Sequence, residues 1–210
     1  MGVLVMVMGP SGSGKSTSLS FFGNGEVEIY GVTGKRLPFR MQLEHHANAG
    51  YRTIYDALVA NKSKCYVIDD STYLMQLDAF RHAKERGYEK FVTMALSFQT
   101  LLDAAAKTDD DTVVYFLHHP QFAEDGSSKP QTIGKMLDNQ LCVEGLFDII
   151  LECDIVDGKH VFFTNEHGIS KTPLNMFDER MIPNNLFEVD RVIRDFWGMK
   201  PIRGGEKHAA

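Results

Sequence analysis

Six apolar residues, Val3-Leu4-Val5-Met6-Val7-Met8, open the chain with almost no polar interruption. A run of that length predicts a strand covered on both faces, as in a parallel sheet. Similar apolar runs return at Val27–Val32, Lys64–Asp69 and Thr112–Leu117. Between them the period changes. Tyr51–Ala60 and Tyr73–Arg86 read as helices. In Phe91, Met94, Ala95, Phe98, Leu101, Leu102 and Ala105 the apolar positions recur at three and four, the stripe of a core-facing helix. Phe147–Val156 and Lys159–Thr164 flank Asp157-Gly158, which predicts a C-terminal antiparallel hairpin. Further helices are expected from Thr132 to Glu144, carrying Lys135, and from Asn185 to Trp197. The alternation predicts an α/β fold, three layers deep, with a mostly parallel sheet. No repeat or linker divides the chain, so one domain is expected over 1–198, followed by a disordered basic tail over 199–210.

Directly behind the first strand comes Gly9-Pro10-Ser11-Gly12-Ser13-Gly14-Lys15-Ser16-Thr17, which has P-loop spacing. Ser16–Phe22 can begin a helix after it. The glycines let backbone N–H groups turn inward as a nest for phosphate oxygens, and the helix N-terminus adds its positive end. Lys15 is then expected on the β- and γ-phosphates and the Ser16 hydroxyl on Mg²⁺, which makes ATP and Mg²⁺ the cofactors. A glycine-rich turn that binds nothing is the plain alternative, and the strand–loop–helix context weighs against it.

An acid at a strand tip downstream of such a loop reads as Walker B. Asp69 is assigned to the metal, and Asp70 either to the attacking water or to capping the next helix. His118-His119 end the following strand, where a polar residue can sense the γ-phosphate; the two are not separable on sequence. Gln121–Pro130 is polar and glycine-bearing, and is expected to be a mobile loop. Lys35, Arg36, Arg40 and Arg52 make the stretch from Gly34 locally basic, either as a contact for phosphate, subunit or DNA or as a solvated loop.

With 22 Lys and Arg against 28 Asp and Glu the formal charge is −6, so nucleic acid binding requires local patches. The first apolar run is too short to span a bilayer, and no membrane partner is expected. Cys65, Cys142 and Cys153 lack CxxC spacing and read as reduced core thiols in a cytoplasmic protein.

Tyr66-Val67-Ile68-Asp69-Asp70, Gln131–Asp138 and Lys171–Phe177, together with the order of parts, resemble a RecA-like P-loop ATPase core. More narrowly, they resemble the small phage-encoded ATPases related to recombination and annealing proteins. The resemblance implies a host cytoplasmic location, single-stranded DNA as partner, and a homo-oligomeric ring or filament. It gives Gln121–Pro130 a DNA contact and Lys171 a reach to a neighbour's γ-phosphate. One departure is that the strand tip after the P-loop helix, Tyr30-Gly31-Val32-Thr33, lacks the family's catalytic glutamate, Glu28 lying inside the strand. Two other readings stand beside it. A small-molecule kinase would use Arg36 and Arg40, although Gln121–Pro130 has no arginine for a lid. A nucleotide-gated loading factor would turn over little.

Overall fold

The computed structural model describes residues 1–40, 43–124, 126–133 and 142–202. In chain order its strands are β1 Val3–Met8, β2 Glu28–Gly31, β3 Glu44–Ala47, β4 Cys65–Asp69 and β5 Val113–His118, then β6 Pro120–Phe122, β7 Ser128–Pro130, β8 Ile149–Val156, β9 Lys159–Phe163 and β10 Met181–Pro183. The α-helices are α1 Tyr51–Ala60, α2 Thr72–Arg81, α3 Glu89–Ala106 and α4 Leu186–Trp197. Eight strands form one mixed sheet in the order β10-β9-β8-β1-β5-β4-β2-β3, parallel from β8 to β3. β9 and β10 are antiparallel to their neighbours, and β6 and β7 form a separate antiparallel hairpin.

The apolar run of β1 splits by strand alternation. Leu4, Met6 and Met8 join one core with α1, α2 and α3, while Val3, Val5 and Val7 join a second with Leu19, Phe22 and α4. Elements therefore cover both faces of the sheet, compatible with a three-layer α/β/α arrangement. Helix ends follow local chemistry. α1 stops at Asn61 in the left-handed region, φ 45. α4 starts at Asn185, whose side chain accepts from the Glu188 amide, and stops at Gly198, φ 65.

Several expectations are corrected. The helix expected over Ser16–Phe22 is a short 3-10 helix, Ser16–Phe21, and the Ser18 hydroxyl donates to the Lys15 carbonyl within it. The Gly34–Arg52 stretch contains edge strand β3, whose Glu-His-His-Ala sequence has no apolar alternation to announce it. β10 was likewise unannounced. α2 ends at Arg81, short of Arg86. Gln121–Pro130 was expected as a loop, and its flanks form a hairpin, paired Gln121↔Lys129 and Phe122↔Ser128, with Gly126 at φ 83 between them. Residues 131–133 are not helical and Val143–Leu146 is a 3-10 turn. The rest of the Thr132–Glu144 expectation, Lys135 included, lies outside the described residues, as does the tail from 203. Cys65 and Cys153 are buried free thiols, but Cys142 is exposed.

Candidate functional site

β1 ends at Met8 and the glycine-rich loop begins at the C-terminal edge of the parallel strands, where ligands gather in open α/β sheets. Gly12 and Gly14 hold φ of 85 and 107, values that L side chains rarely adopt. Gly14 is needed twice over, since a Cβ there would lie 2.8 Å from His160 Nδ1. Pro10, Ser11 and Gly12 are exposed, and Ser16 and Thr17 half-buried. The loop is braced from the hairpin beside it: His160 Nδ1 donates to the Ser13 carbonyl at 2.6 Å, and so does the Cys153 thiol at 3.2 Å. Ser13 Oγ is buried without a hydrogen-bond partner among the described residues.

Lys15 is only 5% exposed, and its Nζ donates to the carbonyls of Gly9 at 2.6 Å and Pro10 at 3.0 Å. Burial lowers its pKa, against nearby Asp70 and Asp69, which raise it. A buried ammonium facing neutral carbonyls and two carboxylates is suited to anions with bound metal. Ser16 Oγ donates to Asp69 Oδ1 at 2.8 Å, so the two metal-ligand candidates meet across 53 residues of sequence. Burial raises the Asp69 pKa, opposed by the Ser16 bond. A hydroxyl and a carboxylate are hard oxygen donors of the kind Mg²⁺ takes.

Asp70 sits in the left-handed region, φ 60. It does not cap α2, which has no side-chain cap. Instead its Oδ1 accepts from His119 Nε2 at 3.3 Å, and its Oδ2 from Thr33 Oγ1 at 3.0 Å and Lys35 Nζ at 3.3 Å. Burial would raise its pKa, but these three donors overcome it and bring the carboxyl down to about 2. So weak a base can orient a water but takes no proton from it at neutral pH.

The two histidines separate clearly. His118 is fully buried between the Ser71 hydroxyl, 2.9 Å from Nδ1, and the Gln131 carbonyl, 2.9 Å from Nε2. Burial is the main reason its pKa drops to about 4, so the ring is neutral at pH 7. His119 turns to Asp70 and packs edge-on against Tyr73 at 5.7 Å. Thr33 and Lys35, from the tip of β2, complete this group, and Lys35 also lies 5.4 Å over the Tyr73 ring. Arg36 and Arg40 are exposed.

Lys171 is not gathered with them. Its backbone pairs with Ile150, at the level of Met6 rather than at the strand tips. Glu28 also lies away, grouped with Glu44 and His46 on β2 and β3, which β4 and β5 separate from β1. Sequence reasoning missed Cys153 and His160, because only the sheet order brings β8 and β9 beside the loop. Among the described residues no helix is long and apolar enough to cross a membrane. No family model matches this chain, and no curated protein matches it.

Proposed function

We propose that the protein is a Mg²⁺-dependent, ATP-binding P-loop ATPase of the RecA-like kind that works with single-stranded DNA as an oligomer. The observation that carries the nucleotide reading is the 2.8 Å contact between Ser16 and Asp69 beside buried Lys15. Loop amides from Gly9 to Thr17 and the Lys15 ammonium would hold the phosphates; Ser16 and Asp69 would hold Mg²⁺, which supplies charge neutralisation when bound. Asp70 orients the attacking water as an acceptor. His119, joined to Asp70, and neutral His118 behind it respond to the γ-phosphate.

The RecA-like part rests on the order of the strands. Polar-tipped β5 lies between β1 and β4, and the β8–β9 hairpin flanks β1 on its other side, with Lys171 following. The placing of Lys171 below the strand tips suits a role on a neighbouring subunit. A nucleotide-gated factor with little turnover is the second reading, favoured by the low basicity of Asp70.

The test is ATP hydrolysis by the purified protein with and without single-stranded DNA, over a range of protein concentrations. Stimulation by DNA that rises more than linearly with protein supports the assembled ATPase. ATP binding with negligible hydrolysis under all conditions moves the assignment to the gated factor. Hydrolysis indifferent to DNA and concentration removes the DNA role, and a small-molecule acceptor screen then tests a kinase.

A further inference from the structure

Among the described residues, Glu152 is the one buried carboxylate at the strand tips that the nucleotide reading leaves unused. On β8 it pairs with Met8, the last residue before the glycine-rich loop. Its carboxylate accepts hydrogen bonds from two separate segments. Ser128 Oγ, on the β6–β7 hairpin, donates at 3.1 Å. The Ile169 amide at 3.0 Å and His167 Nδ1 at 2.6 Å come from the loop that leads to Lys171. The His167 ring is stacked on Phe163 with centroids 3.8 Å apart. Gly168, at φ 52, lets the loop close on the carboxylate, since a Cβ there would fall 2.3 Å from Oε1.

The next residue on the same strand is Cys153, whose thiol grips the Ser13 carbonyl. Strand alternation sends these neighbours to opposite faces. Two consecutive residues of β8 therefore hold the glycine-rich loop on one side, and the hairpin with the Lys171 loop on the other.

We propose that Glu152 is a positioning residue that couples the nucleotide loop to the Pro120–Pro130 hairpin and to Lys171. This rests on the ATPase reading above. A shift of the loop on nucleotide binding pulls on Cys153, and through β8 on the three donors of Glu152. The hairpin and Lys171 then take one shared position rather than moving independently.

The experiment is a kinetic cycle on the full chain with Glu152→Ala, Lys171→Ala and the double variant, using ATP and an oligo-dT single strand. Glu152→Ala should bind ATP within about twofold of the parent while kcat in the assembled state falls about tenfold, a loss of positioning rather than of binding. Adding Lys171→Ala to it should cost nothing more, because both act through one loop. Wild-type kcat in Glu152→Ala, or losses that multiply in the double variant, would overturn the coupling. Should Glu152→Ala fail to fold, Glu152→Gln, which keeps the volume and one acceptor oxygen, takes its place in the cycle. Hydrogen exchange gives a second readout: ATP should slow exchange at Ile169 and Lys171 in the parent and not in the variant. An equal response in both sinks the proposal. Normal turnover in Lys15→Ala would remove the nucleotide site itself, whereas an inactive Lys15→Ala beside a fully active Glu152→Ala removes the coupling alone.

Discussion

At the base of the sheet, Arg194 of α4 uses all five of its N–H donors. Nε and Nη2 reach Asp190 at 2.5 and 3.5 Å; Nη1 reaches the carbonyls of Asp111 and Lys200, and Nη2 also that of Lys64. Tyr115 donates to the same Asp190 at 3.0 Å. Both charges are almost wholly buried, and each is answered. At the opposite edge, buried Lys15 has only carbonyl acceptors, Ser13 Oγ has no partner among the described residues, and Gly12, Gly14 and Asp70 stand at positive φ. One end closes its polar accounts with the protein's own groups, which fixes where β4 and β5 start. The other leaves a buried hydroxyl without a protein partner among the described residues, beside a loop that holds two glycines at positive φ.

Arg194→Ala removes the counter-charge of a buried carboxylate and takes a donor from three carbonyls, and should destabilise by about 3–5 kcal/mol. Urea unfolding measures it, and the ATP affinity of the folded variant should be unchanged. A loss near zero would mean that the network is ornamental. At the other end the pattern should invert. Lys15→Ala should cut turnover by about 10²–10³-fold, while its unfolding midpoint holds or rises, because a desolvated charge has been removed. Unchanged ATPase activity would sink the P-loop assignment.

How far each end was legible follows from the range of its interactions. The loop's pattern stands out because it lies in contiguous residues, Gly9 to Thr17, and the flanking β1 run was read to the residue. The position of Asp69 at a strand tip was readable from the apolar run before it. The base network was not, because Tyr115, Asp190 and Arg194 lie on strand and helix far apart in sequence and each residue alone looks ordinary. The brace from Cys153 and His160 was hidden for the same reason. β3 escaped because its pairing partner β2, rather than its own composition, makes Glu-His-His-Ala a strand. Gln121–Pro130 was read as a loop and its flanks pair as strands: glycine at a turn permits a hairpin as readily as a loose loop.

Acid sharpens the contrast next. Asp70, held down to about 2, keeps its three donors through mild acid. His118 does not share that tolerance. Its folded pKa of about 4 lies below the ordinary 6.5, so between those values the unfolded chain binds a proton that the native protein refuses. Stability is therefore full above pH 6.5 and falls as pH drops toward 4. Among the described residues, the groups facing the ring, the Ser71 hydroxyl, the Gln131 carbonyl, His119 and Lys15, include no carboxylate to reverse that sign. From pH 6.5 to 5 the loss should be about 2 kcal/mol. Thermal unfolding against pH measures it, and His118→Gln should flatten the slope. A parent curve already flat over that window would mean that the ring is protonated in the native state.

The smallest effect is the most discriminating. Ser13 is held by its backbone carbonyl, which Cys153 and His160 secure, so deleting its hydroxyl leaves the loop's geometry in place. The buried Oγ has no partner among the described residues, and an orphaned hydroxyl costs its desolvation. Ser13→Ala should accordingly stabilise the nucleotide-free protein by about 1 kcal/mol, opposite in sign to the Arg194 change. If that hydroxyl is kept for a phosphate oxygen, ATP affinity should fall severalfold in the same variant. Higher stability with weaker ATP binding would mark the loop edge as built for its ligand at the fold's expense. Lower stability with unchanged affinity would show that Ser13 serves the fold, and the two ends of the sheet would then be less different than their hydrogen bonds make them.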